Sequence, residues 1–561
     1  MKTLRTLPEA LETAARSGEG YTFVVNGADA RRSYAELQHE SFRVARSLKE
    51  AGLQRGDVVA LVLLDAEHFL TVLFGASMAG VVPASVYPPA TAGGLDRYFD
   101  LTAGILRASG ARAVVTTAAL ASGFEALRPT CPDLALVLLR EGLDAPARPP
   151  DALPSLNDIA FVQFTSGSTS APKGVALSHS NLSANVDAIN GPAGLGTSAD
   201  DTAVSWLPLY HDMGLVGMAL GPLYASRPGI LLTPQAFVRR PGEWLKAISR
   251  YRGTISFAPN FAYDLSVRRV KDRDLEGLDL SCWRVAGCGA EPIHAPTLSA
   301  FAERFASVGF RATSFLPSYG LAEHVLAATF PPRGRPPLVE HIASDDLTER
   351  RLAVLAEGGS SVPIVSCGCA LPDHSIRIVN DDGGELPDRE IGEITLSGPS
   401  VMLGYYQEPA LTAETLKDGW LYTGDLGYLS GGELFVCGRA KDVIIVNGRK
   451  YHPQDLEWAV AELAGIRRGR VVAFGTTQQG ASDRVVIVAE PSGTVGAVAL
   501  AEAIRRRVGE SFGLYVDDVV SVPSGTIGRT TSGKVQRAAT KARYERGVLV
   551  GEAADKAELP A

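Results

Sequence analysis

The chain has 561 residues, which is more than one hydrophobic core normally serves, so we predict two or more domains. Its 46% hydrophobic and 21% charged residues are typical of an ordinary globular protein. The 54 basic and 62 acidic residues give a net charge of −8 without any long basic run, so we expect no nucleic-acid partner.

Cysteine usage and the first residues indicate the cytoplasm. The six cysteines are sparse, and the close pair Cys367 and Cys369 has no second pair downstream that would complete a zinc site. Reduced thiols in a cytosolic enzyme are therefore the interpretation we favour. The N-terminal segment lacks the apolar run of a signal peptide, and the apolar stretch 58–80 is interrupted by charged residues. We therefore predict a cytoplasmic protein with no membrane span.

Short β-branched runs alternate with helical patterns over the first 400 or so residues. Such runs occupy 58–64, 111–117, 134–139, 158–164 and 202–207, and an amphipathic helical pattern covers 294–308. The alternation predicts an α/β fold in which helices cover parallel or mixed sheets on both faces. After about residue 365 the runs are short and separated by turn residues, which predicts a small antiparallel, barrel-like subdomain.

The C-terminal part has the pattern of a separate module. Helical patterns after Pro453, near 498–511 and after Gly533 alternate with β-branched runs, which predicts a small α+β domain. We assign residues 1–438 to a large domain, 439–442 to the joint, 443–548 to the small domain and 549–561 to a tail.

The loop FTSGSTSAPKGV at 164–175 has the composition of a phosphate cradle. Glycine lets the backbone approach an anion, hydroxyl side chains supply hydrogen-bond donors, and a lysine supplies positive charge. The residues concerned are Thr165, Ser166, Gly167, Ser168, Thr169 and Lys173. A flexible surface turn is the alternative, but the position directly after an apolar strand favours a binding role.

A P-loop NTPase is a weaker hypothesis. In the first loop Lys173 follows Pro172 and precedes a glycine, which is the wrong order for a Walker A motif. The stretch GRTTSGKV at 528–535 has the glycine spacing and the lysine, but Val535 replaces the hydroxyl that binds magnesium in that motif.

Six stretches in a fixed order resemble the signatures of the acyl-adenylate-forming superfamily, which includes acyl-CoA synthetases, luciferases and peptide-synthetase adenylation domains. They are TSGSTSAPKG (165–174), PLYHDMGL (208–215), CGAEP (288–292), YGLAE (319–323), GWLYTGDLG (419–427) with GRAKD (438–442), and TTSGKVQR (530–537). The resemblance extends from residue 33 to residue 537. It implies a large domain of two layered sheets and a mobile small domain that rotates about a hinge at Lys441.

Several stretches are similar to fatty acyl-AMP ligases in particular, the branch that passes activated fatty acids to carrier proteins. Ser170 is common in that branch, whereas many other relatives carry glycine there. The segment 336–359 resembles the insertion that marks these ligases and is thought to restrain the small domain, which disfavours reaction with free CoA. An ordinary surface elaboration is the alternative, since long loops cost little stability.

The resemblance implies ATP-dependent formation of an acyl-AMP, followed by transfer of the acyl group to the phosphopantetheine thiol of an acyl carrier protein. The catalytic lysine would be Lys534, which would bridge the fatty carboxylate and the α-phosphate. Glu323 would bind Mg²⁺, and Asp425 would accept hydrogen bonds from the ribose hydroxyls. Arg439 would contact the ribose or a phosphate, and His211 would position the carboxylate end of the acyl chain.

The same resemblance implies further nucleotide and acyl contacts. Besides the phosphate loop, the nucleotide would touch Gly289, Ala290, Glu291, Ser318, Tyr319 and Gly320. Tyr319 would stack on the adenine ring. The acyl pocket would use Met213, Val216, Met218 and Phe261.

Two other hypotheses stay open beside the carrier-dependent ligase. The first is an acyl-CoA synthetase that uses CoA as the acceptor. The second is a non-catalytic nucleotide-binding relative, which the presence of Lys534, Glu323 and Asp425 disfavours. No carrier-type attachment site follows Arg537, so the carrier protein would be a separate chain.

Overall fold

The computed structural model describes residues 3–89, 95–165, 172–476, 483–493, 496–529, 535–549 and 552–553. For residues 97, 165, 468, 552 and 553 it describes the backbone alone. Within these ranges, no helix combines the length and hydropathy that crossing a bilayer requires.

Five of the α-helices in the described residues, α1, α2, α3, α6 and α8, begin at a capping side chain. Ser33 and Ser178 each accept a hydrogen bond from the backbone N–H three residues on, and that residue's side chain bonds back to the serine N–H. The helices are α1 (Leu7–Ala15), α2 (Tyr34–Glu50), α3 (Ala66–Ala79), α4 (Leu95–Ser109), α5 (Ala118–Leu127), α6 (His179–Asn190), α7 (Gly221–Tyr224), α8 (Pro234–Arg239), α9 (Gly242–Arg250), α10 (Asn260–Arg269), α11 (Ala295–Phe305), α12 (Pro409–Thr415), α13 (Pro453–Ala461), α14 (Ala497–Phe512) and α15 (Arg537–Glu545).

Strands and helices largely alternate up to residue 317, as the sequence predicts, and eight strands then follow one another without an intervening α-helix in the described residues. The strands are β1 (Gly20–Val25), β2 (Ala28–Ser33), β3 (Val58–Leu61), β4 (Val82–Ser85), β5 (Ala111–Thr116), β6 (Leu136–Leu139), β7 (Ile159–Thr165), β8 (Lys173–Ser178), β9 (Ala203–Ser205), β10 (Gly229–Leu232), β11 (Ile255–Ala258), β12 (Val285–Cys288), β13 (Phe315–Pro317), β14 (Tyr319–Gly320), β15 (Ala327–Phe330), β16 (Val339–Ala343), β17 (Ser361–Val365), β18 (Cys369–Ala370), β19 (Ser375–Val379), β20 (Gly392–Ser397), β21 (Gly404–Tyr405), β22 (Leu416–Lys417), β23 (Trp420–Ser430), β24 (Glu433–Arg439), β25 (Ile444–Val446), β26 (Arg449–Tyr451), β27 (Ile466–Thr476), β28 (Arg484–Pro491), β29 (Asp518–Ser521) and β30 (Glu552–Ala553).

Two seven-stranded mixed sheets form the body of the molecule. Their strand orders are β13-β12-β11-β9-β10-β1-β2 and β21-β8-β7-β4-β3-β5-β6. The inner strands are parallel, and antiparallel strands lie at one edge of each sheet, β2 in the first and β8 with β21 in the second. Strands such as β3 are buried along their whole length, as expected when helices cover both faces of a parallel sheet. The α/β fold that the sequence predicts is confirmed.

An antiparallel sheet follows in the chain, and a smaller α+β unit completes the fold. In the antiparallel sheet β20 lies between β19 and β23, and β23 also pairs with β24. The C-terminal sheet has the order β27-β28-β29-β30. Helices α13 and α14 pack on one face of it, and α15 packs on the other, so both faces are covered.

Candidate active site

A large cleft lies where the two mixed sheets, the antiparallel sheet and the C-terminal unit meet. Its volume is about 1490 Å³. One small-molecule site typically occupies up to about 1000 Å³, so this cleft has room for more than one ligand group. Most of the predicted site residues line it, namely His211, Met213, Phe261, Gly289, Ala290, Glu291, Ser318, Tyr319, Gly320, Glu323, Asp425, Arg439 and Lys441.

Two glycines let the loops after β12 and β13 form one wall of the cleft. A Cβ atom on Gly289 would lie 2.8 Å from the carbonyl oxygen of Ser318. A Cβ atom on Gly320 would lie 1.8 Å from the carbonyl oxygen of Leu326, which is closer than any side chain permits. Ala290 has a φ of 65°, in the left-handed region that few residues adopt outside binding sites and turns. The close backbone approach therefore explains why small residues stand here.

Asp425 is held by two other predicted site residues. It pairs with Arg439 across β23 and β24, and the Arg439 Nε atom lies 3.0 Å from one carboxylate oxygen. The Tyr319 hydroxyl donates a hydrogen bond of 2.8 Å to the other oxygen. Burial, together with the Asp425 charge, raises the pKa of Tyr319 well above its ordinary value. The carboxylate of Asp425 also raises the pKa of Arg439. Tyr319 therefore keeps its proton, and Asp425 has a fixed orientation.

Glu323 presents a carboxylate to the cleft from the 3₁₀ turn Ala322–His324. The hydroxyl of Tyr405 donates a hydrogen bond of 2.9 Å to it. A lone carboxylate suits Mg²⁺, which usually keeps waters and phosphate oxygens as its other ligands. No group of three or more His, Cys, Asp or Glu side chains that could hold a metal occurs in the described ranges. The position of the Glu323 carboxylate at the cleft fits the predicted magnesium ligand.

The predicted phosphate loop is flanked by a hairpin. Thr165, the last residue of β7, pairs with Lys173, the first residue of β8. The Nζ atom of Lys173 lies 5.4 Å from the ring centre of Tyr405. The predicted contacts of Ser166, Gly167, Ser168, Thr169 and Lys534 fall outside the described residues and stay predictions.

An apolar arm of the cleft begins beside His211. The Nδ1 atom of His211 lies 2.6 Å from the Asp212 carboxylate. The next residues form the π-helical segment Met213–Leu220, a conformation that is frequent at functional sites. We define the apolar arm as the part of the cleft wall whose side chains belong to, or pack against, one hydrophobic cluster: the predicted Met213 and Phe261, together with Ile189, Leu195, Phe257, Leu326 and Phe330, which sequence reasoning missed.

Two predicted acyl contacts lie away from the wall of this arm. Val216 and Met218 are buried in the hydrophobic core and do not line the cleft. Met213 and Gly217, four residues apart, do line it, because positions at that spacing share one face of a helix. Contact of Val216 or Met218 with an acyl chain stays a prediction.

Arg537 connects the predicted joint to the helices of the C-terminal unit. The side chain of Arg537, on α15, lies 2.7 Å from Asp442 and 2.9 Å from Glu457 on α13. Lys441, in the 3₁₀ turn Ala440–Asp442, lines the cleft. Burial and the neighbouring Arg439 lower the pKa of Lys441. The residues of the predicted hinge therefore form part of the wall of the site.

The segment 336–359, which resembles an insertion, contacts both parts of the molecule. On one side Glu340 of β16 forms an ion pair of 2.8 Å with Arg389, which precedes the antiparallel strand β20. On the other side Glu349 forms an ion pair with Arg449 of β26 in the C-terminal unit. The segment therefore connects the C-terminal unit to the large part of the molecule.

Comparison with known proteins agrees with this architecture. The family described as AMP-binding enzyme matches residues 11–406, and a family described as Disco-interacting protein 2-like, AMP domain, matches residues 441–553. A protein of Caulobacter vibrioides that carries the provisional name acyl-CoA synthetase is 38% identical over 97% of this chain and 96% of its own length. The medium-chain-fatty-acid–[acyl-carrier-protein] ligase JamA of Moorena producens is 34% identical over 95% of this chain and 93% of its own.

A solved structure has the same fold. It comes from studies of fatty acyl-adenylate ligases of E. coli and L. pneumophila, is 38% identical and covers 97% of this chain and 99% of its own, with a TM-score of 0.91. Fold and cleft together define a nucleotide-binding α/β enzyme with a smaller C-terminal unit. The chain belongs to the AMP-binding enzyme family, and the family that the sequence motifs indicate is confirmed.

Proposed function

We propose that this protein is a fatty acyl-AMP ligase. It activates a fatty acid with ATP, releases pyrophosphate and transfers the acyl group to the phosphopantetheine thiol of an acyl carrier protein on a separate chain. The observation that carries this proposal is the shared cleft, in which an apolar arm meets Asp425 and Glu323. The full-length similarity to a fatty-acid–carrier ligase and to a fatty acyl-adenylate ligase structure supports the same activity.

In the first half-reaction a carboxylate oxygen of the fatty acid attacks the α-phosphorus of ATP. The new P–O bond forms as the bond to the bridging oxygen breaks, and pyrophosphate leaves. The apolar arm orients the acyl chain, and Asp425 accepts hydrogen bonds from the ribose, so the reacting atoms are held in line. Lys173 and the phosphate loop hold the leaving pyrophosphate. Glu323 would hold Mg²⁺, and the bound cation would supply positive charge to neutralise the phosphates. Lys534 offsets the charge that develops between carboxylate and α-phosphate.

In the second half-reaction the thiol sulfur attacks the acyl carbonyl carbon. The C–O bond to the phosphate breaks, AMP leaves, and the thiol proton is lost. The small domain, from residue 443 onward, rotates about the joint at 439–442 between the two half-reactions. The bridge that segment 336–359 makes to Arg449 restrains this rotation, and a carrier protein overcomes the restraint better than free CoA does.

The test is a pyrophosphate-release assay over a series of straight-chain fatty acids, with holo-carrier protein and CoA offered in parallel. We expect adenylate formation with fatty acids, and acyl transfer to the carrier at least about tenfold faster than to CoA at equal concentration. If none of the fatty acids formed an adenylate, the proposal would be contradicted. Equal or faster transfer to CoA would instead support an acyl-CoA synthetase, the activity in the name of the Caulobacter relative.

The ion pair between the insertion and the small domain gives a second test. We expect Glu349→Arg to raise the rate of transfer to CoA about threefold, because like charges at Arg449 release the restraint, with little change in adenylation. Acyl-CoA formation from preformed acyl-AMP measures the effect. The double variant Glu349→Arg, Arg449→Glu restores the ion pair and is expected to return the rate to that of the parent protein. A rate that stays high in the double variant would mean that the ion pair is not the restraint.

A further inference from the structure

One aromatic residue outside the recognised motifs contacts both charged groups that the proposed function assigns to the ATP phosphates. Tyr405 donates its hydroxyl hydrogen bond to Glu323, and its ring lies under the ammonium group of Lys173. Its side chain is buried, with 9% of its surface exposed. Tyr405 therefore stands between an acidic and a basic group that the proposed function assigns to the same triphosphate.

The backbone around Tyr405 leaves this side chain little freedom. In the two-residue strand β21, Tyr405 pairs with Val175 of β8, in the strand that follows the phosphate loop. Its N–H donates a hydrogen bond of 2.9 Å to the Thr412 hydroxyl. One residue earlier in the strand, a Cβ on Gly404 would lie 2.6 Å from the Thr412 side chain, so the turn is closely packed.

The same short segment also holds the backbone of the magnesium ligand. The N–H of Met402 donates a hydrogen bond of 2.9 Å to the carbonyl oxygen of Glu323, and the N–H of Tyr406 donates one of 2.7 Å to the carbonyl oxygen of Gly174. Residues 402–406 thus link the loop that carries Glu323 to the strand that carries Lys173.

We infer that Tyr405 is a positioning residue for magnesium–ATP: its hydroxyl orients the Glu323 carboxylate and its ring holds Lys173, so that both charges face the triphosphate. The ring of Tyr405 also keeps Glu323 and Lys173 from forming a direct ion pair. In such a pair the two charges would neutralise each other instead of interacting with magnesium–ATP. A hydrogen bond to a carboxylate and a cation–π contact each have the strength to hold a side chain in this way. This inference rests on the proposed function.

Equilibrium binding separates this role from a structural one. In titration calorimetry without fatty acid, we expect Tyr405→Phe to weaken magnesium–ATP binding about tenfold, because the carboxylate loses its hydrogen bond. AMP binding is expected to change less than about twofold, since AMP lacks the β- and γ-phosphates. Tyr405→Leu, which also removes the ring under Lys173, should weaken magnesium–ATP further. The neighbouring Tyr406→Phe is the control, because the backbone of Tyr406 makes the bond to Gly174 and its side chain packs elsewhere.

The outcomes are distinct. Unchanged magnesium–ATP affinity in Tyr405→Phe would overturn the inference, and so would equal weakening of AMP and magnesium–ATP, which would indicate general damage to the site. If the parent protein bound neither nucleotide, the proposed function would fail instead. The steady-state counterpart is a rise in the KM for ATP with the KM for fatty acid unchanged.

Discussion

Lys534→Gln is expected to lower the rate of acyl-AMP formation by about 100- to 1000-fold, while acyl transfer from preformed acyl-AMP slows by less than about fivefold. Glutamine keeps the length and polarity of the side chain but removes the positive charge. The loss is confined to the first half-reaction because that is where negative charge develops between the fatty carboxylate and the α-phosphate. Pyrophosphate release measures the first step, and loading of holo-carrier protein from synthetic acyl-AMP measures the second.

The surroundings of Lys534 support this expectation. The flanking residues Arg529 and Val535 pair with each other in an antiparallel bridge, and both line the cleft. Lys541→Gln is a matched control, because Lys541 lies on α15 and its amino group is 3.9 Å from Glu545 on the same helix. The assignment would be wrong if both half-reactions slowed equally in Lys534→Gln, or if the control variant showed the same loss.

Lys441→Pro is expected to have the opposite pattern, with adenylation within about threefold of the parent protein and transfer to the carrier reduced by about 100-fold. Proline fixes its own φ near −65° and restricts the residue before it, here Ala440. The backbone at the joint then favours one arrangement of the small domain, and the second arrangement becomes inaccessible. Single-turnover rates of the two half-reactions measure the effect.

Lys441→Ala separates the backbone effect from the side chain. Alanine removes the amino group that lines the cleft but leaves the backbone free to rotate. We expect it to retain most of the transfer rate. If Lys441→Pro transferred the acyl group as fast as it formed the adenylate, the hinge would lie elsewhere in the chain.

The sequence motifs indicated residues that share one cleft, but they did not indicate the contacts between those residues. Tyr319, Glu323 and Asp425 lie in three motifs of the ordered series, and the cleft brings all three together. The hydrogen bond between Tyr319 and Asp425, by contrast, spans 106 positions and depends on the register of β23, which shifts near Leu426. No local pattern indicates such a shift, so the contact could not be predicted.

The residues that line the apolar arm could not be predicted from a local pattern either. The run MGLVGMAL is apolar on every side, so periodicity cannot tell which of its residues face a ligand and which face the core. Met213 was assigned to the arm and lines it, whereas Val216 and Met218 were assigned with it and lie in the core. Tyr405 was missed for a related reason. Its segment carries no charged group, and its inferred role depends on partners from a distant turn and a distant strand.

The two ion pairs around the joint determine how far a rotation of the small domain can spread along the backbone. Arg439 is tied to Asp425 in the large part, and Asp442 is tied through Arg537 to the helices of the small domain. With both neighbours anchored, the φ and ψ angles of Ala440 and Lys441 would carry nearly all of the change in orientation. Rotation about so few backbone torsion angles would turn the small domain as a rigid body about an axis through the rim of the cleft. Each degree of rotation would then change the shape of the cleft in which the nucleotide is proposed to bind.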